Sequence, residues 1–142
     1  MIRKAVAAIV FQEDKFLLAS RVSILLKKGE LEPISEEWDL IKGGINTGES
    51  FQDAILRELE EETGSNKYEI KCHFKDKLEY GLPEKTGFSK QESNVFLIEF
   101  TGKNTDLKPD SKEIGALKFF SKEDAIKKIK YPETRAYVIN HI

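Results

Sequence analysis

The chain has 142 residues, of which 39% are hydrophobic and 34% are charged, and its formal net charge is −2. This balance gives no overall drive toward nonspecific binding to nucleic acids or membranes. A single cysteine, Cys72, excludes an internal disulfide and a cysteine-based zinc site. The length predicts one domain over residues 1–142, and the cysteine usage predicts a reducing, cytoplasmic location.

The N-terminal third predicts strands separated by a polar segment. Ala5–Phe11 and Lys15–Ser20 indicate two strands joined by a turn. Basic residues before the first run resemble a signal peptide, but no typical cleavage site follows and the run is too short to span a bilayer. Lys27–Glu37 is polar and contains a glycine and a proline, which predicts a loop. Trp38–Ile41 predicts a short strand.

A glycine-rich turn and a helix form the centre of the chain. The tight, irregular turn is marked by three glycines, Gly43, Gly44 and Gly48. Ser50 and Asp53 form the pattern of a capping box that begins a helix, and Gly64 is placed to end it. The predicted core-facing stripe of this helix consists of three aliphatic residues, Ile55, Leu56 and Leu59.

The remaining residues predict more strands and then two helices. Three further strands are expected, at Tyr68–Tyr80, Ser93–Phe100 and Ala116–Ser121, with Cys72 as a buried core thiol. Two helices are expected at the end, Ser121–Ile129 and Pro132–Ile142. This order of elements predicts a mixed sheet covered by helices, in the α/β class.

Four acidic residues crowd into Glu58–Glu62 on the central helix. At 100° per residue, Glu58, Glu61 and Glu62 fall within an arc of roughly 100°. Like charges at this spacing repel each other by a few tenths of a kcal/mol, and Arg57 is the only base nearby. A hard cation such as Mg²⁺ or Mn²⁺ would relieve that repulsion. The pattern alone leaves open a simple solvated charged face.

The spacing of this segment resembles the signature of the Nudix hydrolase family. Gly43, five residues, Glu49, seven residues and then Arg57-Glu58-Leu59-x-Glu61-Glu62-x-Gly64 match the Nudix box. The resemblance implies the Nudix fold, an α/β/α sandwich with a mixed central sheet, along essentially the whole chain. It also implies structural roles for Gly43, Gly44 and Gly64. Ser65 departs from the family, which usually has an aliphatic residue there, so a small effect on stability is expected.

The same resemblance implies a metal site. Glu58, Glu61 and Glu62 would ligate Mg²⁺, with Mn²⁺ as an alternative, and the main-chain carbonyl of Lys42 would complete the coordination. Several relatives supply a further glutamate from a later loop, and Glu113 precedes a predicted strand where that residue is expected. Glu113 is equally well explained as an ordinary loop acid.

The resemblance to the Nudix box also implies catalytic roles. Arg57 would hold the acids in place by charge-assisted hydrogen bonds, with Glu49 as its buried orienting partner. Glu58 belongs to the implied catalytic set with Arg57. The general base would be Glu61 or Glu113, and the sequence leaves that choice open.

The substrate class is indicated by a second similarity. Residues 36–50 are similar to the corresponding segment of dinucleoside polyphosphate hydrolases and bacterial RNA pyrophosphohydrolases, and Tyr80 stands near the marker tyrosine of that group. The implied reaction is metal-dependent hydrolysis of a phosphoanhydride in a nucleoside diphosphate linked to another group, either a dinucleoside polyphosphate or the 5′-triphosphate end of an RNA. Candidate substrate contacts are Lys42, Arg21, Tyr80 and Lys90, although each is also explained as an ordinary surface or strand-end residue. The segment Lys27–Glu37 would reshape the nucleotide pocket.

Two alternatives compete with this function. A nucleoside triphosphate pyrophosphohydrolase would share all the metal residues and differ only in the pocket. A nucleotide-binding sensor without catalysis would be expected to lack one or more acids of the box, whereas all of them are present here. The expected partner is a small nucleotide or an RNA 5′ end and no membrane, and the chain could be a monomer or a homodimer.

Overall fold

A computed structural model describes residues 1–110 and 112–142, in which seven β-strands and three α-helices form the main regular structure. The strands are β1 (Ile2–Gln12), β2 (Lys15–Leu25), β3 (Leu31–Asp39), β4 (Ile41–Gly44), β5 (Tyr68–Gly81), β6 (Lys90–Phe100) and β7 (Ile114–Ser121). The helices are α1 (Phe51–Thr63), α2 (Lys122–Lys128) and α3 (Pro132–His141).

All seven strands belong to one mixed sheet. The main order is β3-β2-β1-β6-β5, while β4 pairs with β1 and β7 pairs with β2. β1 and β6 run parallel, and the other paired strands are antiparallel. The mixed sheet confirms the expected fold class.

β1 supplies the centre of the core on both faces of this sheet. Val6 and Ala8 pack in the cluster that contains Ile55 and Leu59 of α1. Ala7 and Ile9, which point to the other face, pack in the cluster that contains α2 and α3. Strands buried on both faces have continuous apolar runs, which explains the sequence of β1. The helices therefore cover both faces, and the three layers are those of an α/β/α sandwich.

The prediction of a loop at Lys27–Glu37 is wrong for most of that segment. β2 continues to Leu25, and residues from Leu31 onward form β3, which pairs with β2 as an edge strand. Charged residues and a proline are tolerated at a sheet edge because one row of backbone groups faces solvent. The predicted strand at Trp38–Ile41 is likewise divided between the end of β3 and the start of β4.

Several side-chain and turn predictions also need correction. Cys72 is exposed, because β5 lies at the opposite sheet edge and that position points to solvent. Leu56 is 36% exposed, whereas Ile55 and Leu59 are buried, so the core stripe of α1 is narrower than predicted. Gly43 and Gly44 belong to β4 rather than to a turn.

The predicted helix bounds are otherwise close to those observed, because each helix begins or ends at a recognisable cap. In the described part of the chain, no helix has both the length and the apolar character needed to cross a membrane.

Candidate active site

Helix α1 is fixed at both ends by local hydrogen bonds. The Ser50 hydroxyl accepts a hydrogen bond from the Asp53 amide at 3.1 Å. At the other end, Gly64 adopts φ +73°, and its amide donates to the Glu60 carbonyl at 2.9 Å. Glycine reaches this left-handed conformation without steric penalty. Because Ile55 and Leu59 are buried against the sheet, the acidic arc of α1 is turned toward β4.

The Arg57 guanidinium connects three of the acidic side chains. It forms a bidentate pair with Glu49, with N···O distances of 2.8 and 2.9 Å. One terminal nitrogen donates to Glu58 at 2.8 Å and to Glu61 at 3.2 Å. The other donates to the Gly44 carbonyl at 2.9 Å, which ties the helix to β4. A planar guanidinium presents its donors in fixed directions, so this arrangement sets the positions of all three carboxylates.

The ion pair with Arg57 also favours the ionised form of the Glu49 carboxyl. These hydrogen bonds hold the pKa of the Glu49 carboxyl below its ordinary value. Glu49 is partly exposed rather than fully buried, in contrast to the expectation from sequence, because the turn that carries it lies at the surface.

Gly43 provides the space for the Glu58 carboxylate. A Cβ at position 43 would overlap both carboxylate oxygens of Glu58, so only glycine allows β4 to lie this close to α1. Glu58 is largely buried as a result. Burial raises the pKa of its carboxyl, and this effect outweighs the opposing hydrogen bond and charge of Arg57.

Glu62 is the most buried acid of the helix, with 3% of its side chain exposed. Burial raises the pKa of its carboxyl to about 8, against the opposing charge of Arg21. The Arg21 guanidinium donates to Glu62 at 3.1 Å and to the main-chain carbonyl of Lys42 at 3.0 Å. Arg21 therefore contacts two of the groups that the sequence assigns to a metal, rather than standing free for a phosphate.

A cleft of about 470 Å³ opens beside these acids. Glu58, Glu61 and Glu113 line it, so the structure brings the loop glutamate to the same site as two acids of α1. Glu61 is the most exposed of the three helix acids, with 57% of its side chain accessible. Glu113 contributes to the raised pKa of Glu62, which indicates that its charge lies near that carboxyl.

A buried polar cluster forms another wall of the cleft. The Lys42 ammonium pairs with Asp39 at 2.5 Å, donates to the Tyr80 hydroxyl and lies 4.2 Å from the centroid of the Tyr80 ring. Tyr131 stacks on Tyr80 with 5.4 Å between ring centroids, and its hydroxyl donates to Glu37 at 2.7 Å. The two tyrosines thus connect β5 to the segment between α2 and α3.

Lys90 is the one predicted substrate contact that does not line the cleft. Its ammonium lies 3.5 Å from the Glu79 carboxylate, where β6 pairs with β5. Arg3, in contrast, was not predicted from sequence and lines the cleft, where it donates to Gln91 at 2.8 Å. Its only signal in the sequence is a basic residue directly before an apolar strand.

Asp39 was also missed, although its sequence context carries a signal. It is fully buried, and an acid between the apolar residues Trp38 and Leu40 is unusual unless it is paired. Its partner Lys42 is three residues away.

The donor chemistry of this site fits a hard divalent cation, since it offers carboxylates and a carbonyl oxygen. Within the described residues, however, no three acidic, histidine or cysteine side chains converge as a ready-made metal cluster. Arg57 donates to both Glu58 and Glu61, and Arg21 donates to Glu62. Each of the three acids is therefore hydrogen-bonded to a guanidinium in this structure.

Comparison with known sequences places these residues in a family. The model of the NUDIX domain matches residues 1–142. An RNA pyrophosphohydrolase from a Wolbachia of Brugia malayi (strain TRS) is 32% identical over 110 residues, which cover 69% of this chain and 68% of that protein. One from a Nitratiruptor species is 32% identical over 120 residues, which cover 78% of this chain and 66% of that protein. The RNA pyrophosphohydrolase of Wolbachia pipientis wMel is 36% identical to this chain over 77 residues. That match spans only about half of the relative, 48% of its length.

Solved structures agree on the fold. An Ap4A hydrolase of C. elegans, solved as a binary complex, superimposes with a TM-score of 0.74 at 23% identity, covering 96% of this chain and 93% of that one. The dihydroneopterin triphosphate pyrophosphohydrolase of E. coli superimposes with a TM-score of 0.73 at 14% identity, covering 98% and 94%. Nudix hydrolases generally use divalent metals. The box residues, the fold and the match along residues 1–142 all lead to one assignment: this chain belongs to the NUDIX domain family.

Proposed function

We propose that this chain hydrolyses a phosphoanhydride bond in a nucleoside diphosphate that is linked to another group. The substrate class is a dinucleoside polyphosphate or the 5′-triphosphate end of an RNA. The observation that carries the proposal is the Arg57 cluster, in which one guanidinium orients Glu49, Glu58 and Glu61 at the edge of a cleft. The names of the Wolbachia and Nitratiruptor relatives support the same chemistry.

The reaction requires a divalent cation, for which we propose Mg²⁺, with Mn²⁺ as a substitute. Its ligands would be Glu58, Glu61, Glu62, the Lys42 carbonyl and Glu113, all oxygen donors as these ions prefer. When bound, such a cation neutralises phosphate oxygens and makes a water molecule a better nucleophile.

The side chains of this chain would then divide the remaining tasks. Arg57 keeps Glu58 and Glu61 in position through the hydrogen bonds described above. Either Glu61 or Glu113, both of which line the cleft, takes the proton of the attacking water.

Phosphate binding requires cationic side chains of the cleft that are not already paired with an acid. Lys42 is paired with Asp39, and Arg21 is paired with Glu62. Arg3 lines the cleft beside Gly44 and donates only to the neutral Gln91 among the described residues, whereas Lys27, the fourth cation of the cleft, lies beside Gly87. We therefore add Arg3 to Tyr80 and Lys42 as a proposed substrate contact, and we give it the leading role.

We further propose that residues 1–142 act as one Nudix hydrolase domain in the cytoplasm.

The test is a product analysis with Mg²⁺ and a panel of nucleotides. Diadenosine polyphosphates and a 5′-triphosphorylated RNA are expected to be cleaved faster than simple nucleoside triphosphates. The double variant Glu61→Gln with Glu62→Gln is expected to lose this activity while remaining folded by circular dichroism. Rapid turnover of simple triphosphates alone would support the pyrophosphohydrolase alternative, and full activity of the double variant would show that the chemistry lies elsewhere.

A further inference from the structure

Three side chains from three neighbouring strands form a row across the sheet. Arg3 of β1 is in register with Gln91 of β6, and Gln91 is in register with Tyr80 of β5. Side chains at the same register position of adjacent strands lie side by side on one face of a sheet. All three line the cleft. The row therefore forms a wall of the cleft that runs from the edge strand β5 to the central strand β1.

Gln91 is the buried centre of this row, with 2% of its surface exposed. A buried amide costs free energy unless its polar atoms are hydrogen-bonded. The amide oxygen of Gln91 accepts from one terminal nitrogen of Arg3 at 2.8 Å, and its nitrogen donates to the Tyr80 hydroxyl at 2.8 Å. Because a guanidinium can only donate, the oxygen of the amide must face Arg3 and its nitrogen must face Tyr80. The neighbours of Gln91 thus determine its orientation.

Tyr80 connects Gln91 to a buried support. The Tyr80 hydroxyl also accepts from the Lys42 ammonium, which pairs with Asp39 at 2.5 Å. Tyr80, Lys42 and Asp39 are all buried, and the ring of Tyr131 stacks on Tyr80. The side chain of Gln91 is therefore held from the side opposite Arg3.

Arg3 is the end of the row that reaches the acidic part of the cleft. A Cβ at Gly44 would lie 3.2 Å from a terminal nitrogen of Arg3, so the guanidinium lies against β4. The neighbouring residue, Gly43, lies against the Glu58 carboxylate. The positive charge of Arg3 is therefore held beside the backbone that packs on the acids, where a bound phosphoanhydride would present its oxygens.

The partner of Arg3 is neutral, which distinguishes this arginine from two others near the site. Arg21 and Arg57 pair with carboxylates, whereas Arg3 forms no ion pair in the described part of the chain. An amide oxygen occupies one donor of the guanidinium and leaves its positive charge uncompensated. A carboxylate in the same place would neutralise that charge.

We propose that Gln91 is a positioning residue: it fixes the Arg3 guanidinium in the cleft through a neutral hydrogen bond, so that the charge of Arg3 stays available for the phosphates of the substrate. This inference rests on the proposed function for the presence of phosphates in the cleft. It predicts that an acid at position 91 impairs phosphate binding even though it keeps the contact with Arg3.

The test measures binding of non-hydrolysable α,β-methylene-ADP by titration calorimetry with Mg²⁺. Gln91→Met has a side chain of similar length without either hydrogen bond, and it is expected to weaken the analogue about threefold to tenfold because Arg3 is no longer immobilised. Gln91→Glu keeps an acceptor for Arg3 but pairs its charge, and it is expected to weaken the analogue about tenfold or more. Uncharged adenosine should bind equally to the wild type and to both variants.

A double-mutant cycle separates positioning from a general structural role. Arg3→Met alone is expected to weaken the analogue about tenfold or more. In that background, either substitution of Gln91 should change the affinity by no more than about twofold, because both act through Arg3.

Gln12→Met is the matched control for lost stability. The Gln12 amide donates to the carbonyls of Phe100 and Gly102, and Gln12 does not line the cleft. This variant should lower the urea midpoint without changing the affinity for either ligand.

Three outcomes would overturn the inference. They are wild-type affinity for the analogue in Gln91→Glu, a full additional loss on substituting Gln91 in the Arg3→Met background, and an equal loss of adenosine and the analogue in both Gln91 variants. A wild-type protein that does not bind the analogue would overturn the proposed function together with this inference, whereas the three outcomes overturn this inference alone.

Discussion

At the scale of single residues, the backbone at Gly43 lies so close to Glu58 that any side chain would displace the carboxylate. Gly43→Ala is expected to lower kcat/KM for a diadenosine polyphosphate by about a hundredfold, because small displacements of catalytic groups are costly. Steady-state kinetics with Mg²⁺ would measure this. The control is Gly81→Ala, where the new Cβ would have the Ser89 carbonyl oxygen as its nearest neighbour at 3.9 Å. Equal activity of both variants would contradict the role of Gly43.

Arg57 makes five hydrogen bonds in fixed directions, and a lysine cannot reproduce them. Arg57→Lys keeps the positive charge, yet it is expected to weaken Mg²⁺ binding by about tenfold or more, as loss of an orienting partner does in metal sites. Isothermal titration of Mg²⁺ would detect the change without relying on activity. Lys71→Arg, on the far edge strand, is the matched control. Wild-type affinity in Arg57→Lys would mean that charge alone is required.

The box acids and Arg57 could be predicted because they lie within one segment, whereas Arg3 could not because its partner is distant in the chain. The box acids and Arg57 stand within one helix, so their common face follows from helical geometry alone. Arg3 meets Gln91 across a parallel strand pair, and the sequence carries no indication of that neighbour. Cys72 was assigned to the core because strand patterning alone does not reveal which strand lies at an edge.

At the scale of elements, the end of α1 depends on the left-handed conformation of Gly64. Gly64→Ala is expected to lower the free energy of unfolding by about 1–2 kcal/mol, because a Cβ is strained at positive φ. The carbonyl of Lys108, 3.3 Å from the position of that Cβ, leaves little room for relaxation. Urea denaturation would measure the loss, with Gly81→Ala again as the control. An unchanged midpoint would show that this helix end tolerates alanine.

Glu92 links three strands, since Lys4 of β1 lies 2.5 Å and Lys77 of β5 lies 3.2 Å from its carboxylate. These hydrogen bonds, first from Lys4 and then from Lys77, lower the pKa of Glu92 to about 2. A depressed folded-state pKa stabilises the protein above the unfolded value of 4.5, and this stabilisation is lost as the pH falls toward 2.

We expect Glu92→Gln to be less stable than the wild type at pH 7 and equally stable near pH 2. Urea denaturation at several pH values would measure this difference. Glu13→Gln is the control, since Glu13 forms no ion pair in the described part of the chain. A pH-independent difference for Glu92→Gln would contradict the assignment of this pKa.

The elements differ in how well the sequence predicts them. α1 was predicted almost to the residue because Ser50 and Gly64 mark its ends chemically. β3 was missed because its charges and Pro33 resemble a loop, and only its pairing with β2 makes it a strand. The contacts that stabilise an edge strand are therefore not visible in its own composition.

At the scale of the whole molecule, the cleft is slightly acidic although its proposed ligand is anionic. Four cationic side chains line it (Arg3, Arg21, Lys27 and Lys42), and five acidic ones do (Glu37, Asp39, Glu58, Glu61 and Glu113), a formal balance of −1. A polyphosphate therefore gains little attraction from the protein alone.

Removal of divalent cations with EDTA is expected to weaken binding of non-hydrolysable α,β-methylene-ADP by about tenfold or more, since unscreened like charges repel at this distance. Titration calorimetry would measure the affinity with Mg²⁺ and with EDTA. Uncharged adenosine is the control and should bind equally in both. Equal affinity of the diphosphate analogue in both buffers would show that the side chains alone hold the phosphates.

The fold class and the family could be predicted because they depend on the order of elements and on one motif. The shape of the cleft could not, because it is assembled from the β2–β3 hairpin, the β5–β6 connection and Tyr131, which are far apart in the chain. The individual sequences of these segments indicate only loops and strand ends.

The parallel pairing of β1 with β6 has a consequence for biosynthesis. Every paired position in this ladder, from Ile2 with Lys90 to Phe11 with Glu99, is separated by 88 residues of chain. β1, with its long apolar run, therefore emerges from the ribosome long before its parallel partner β6 has been synthesised. Until β6 has been synthesised, this strand remains a target for chaperones or for association with other nascent chains.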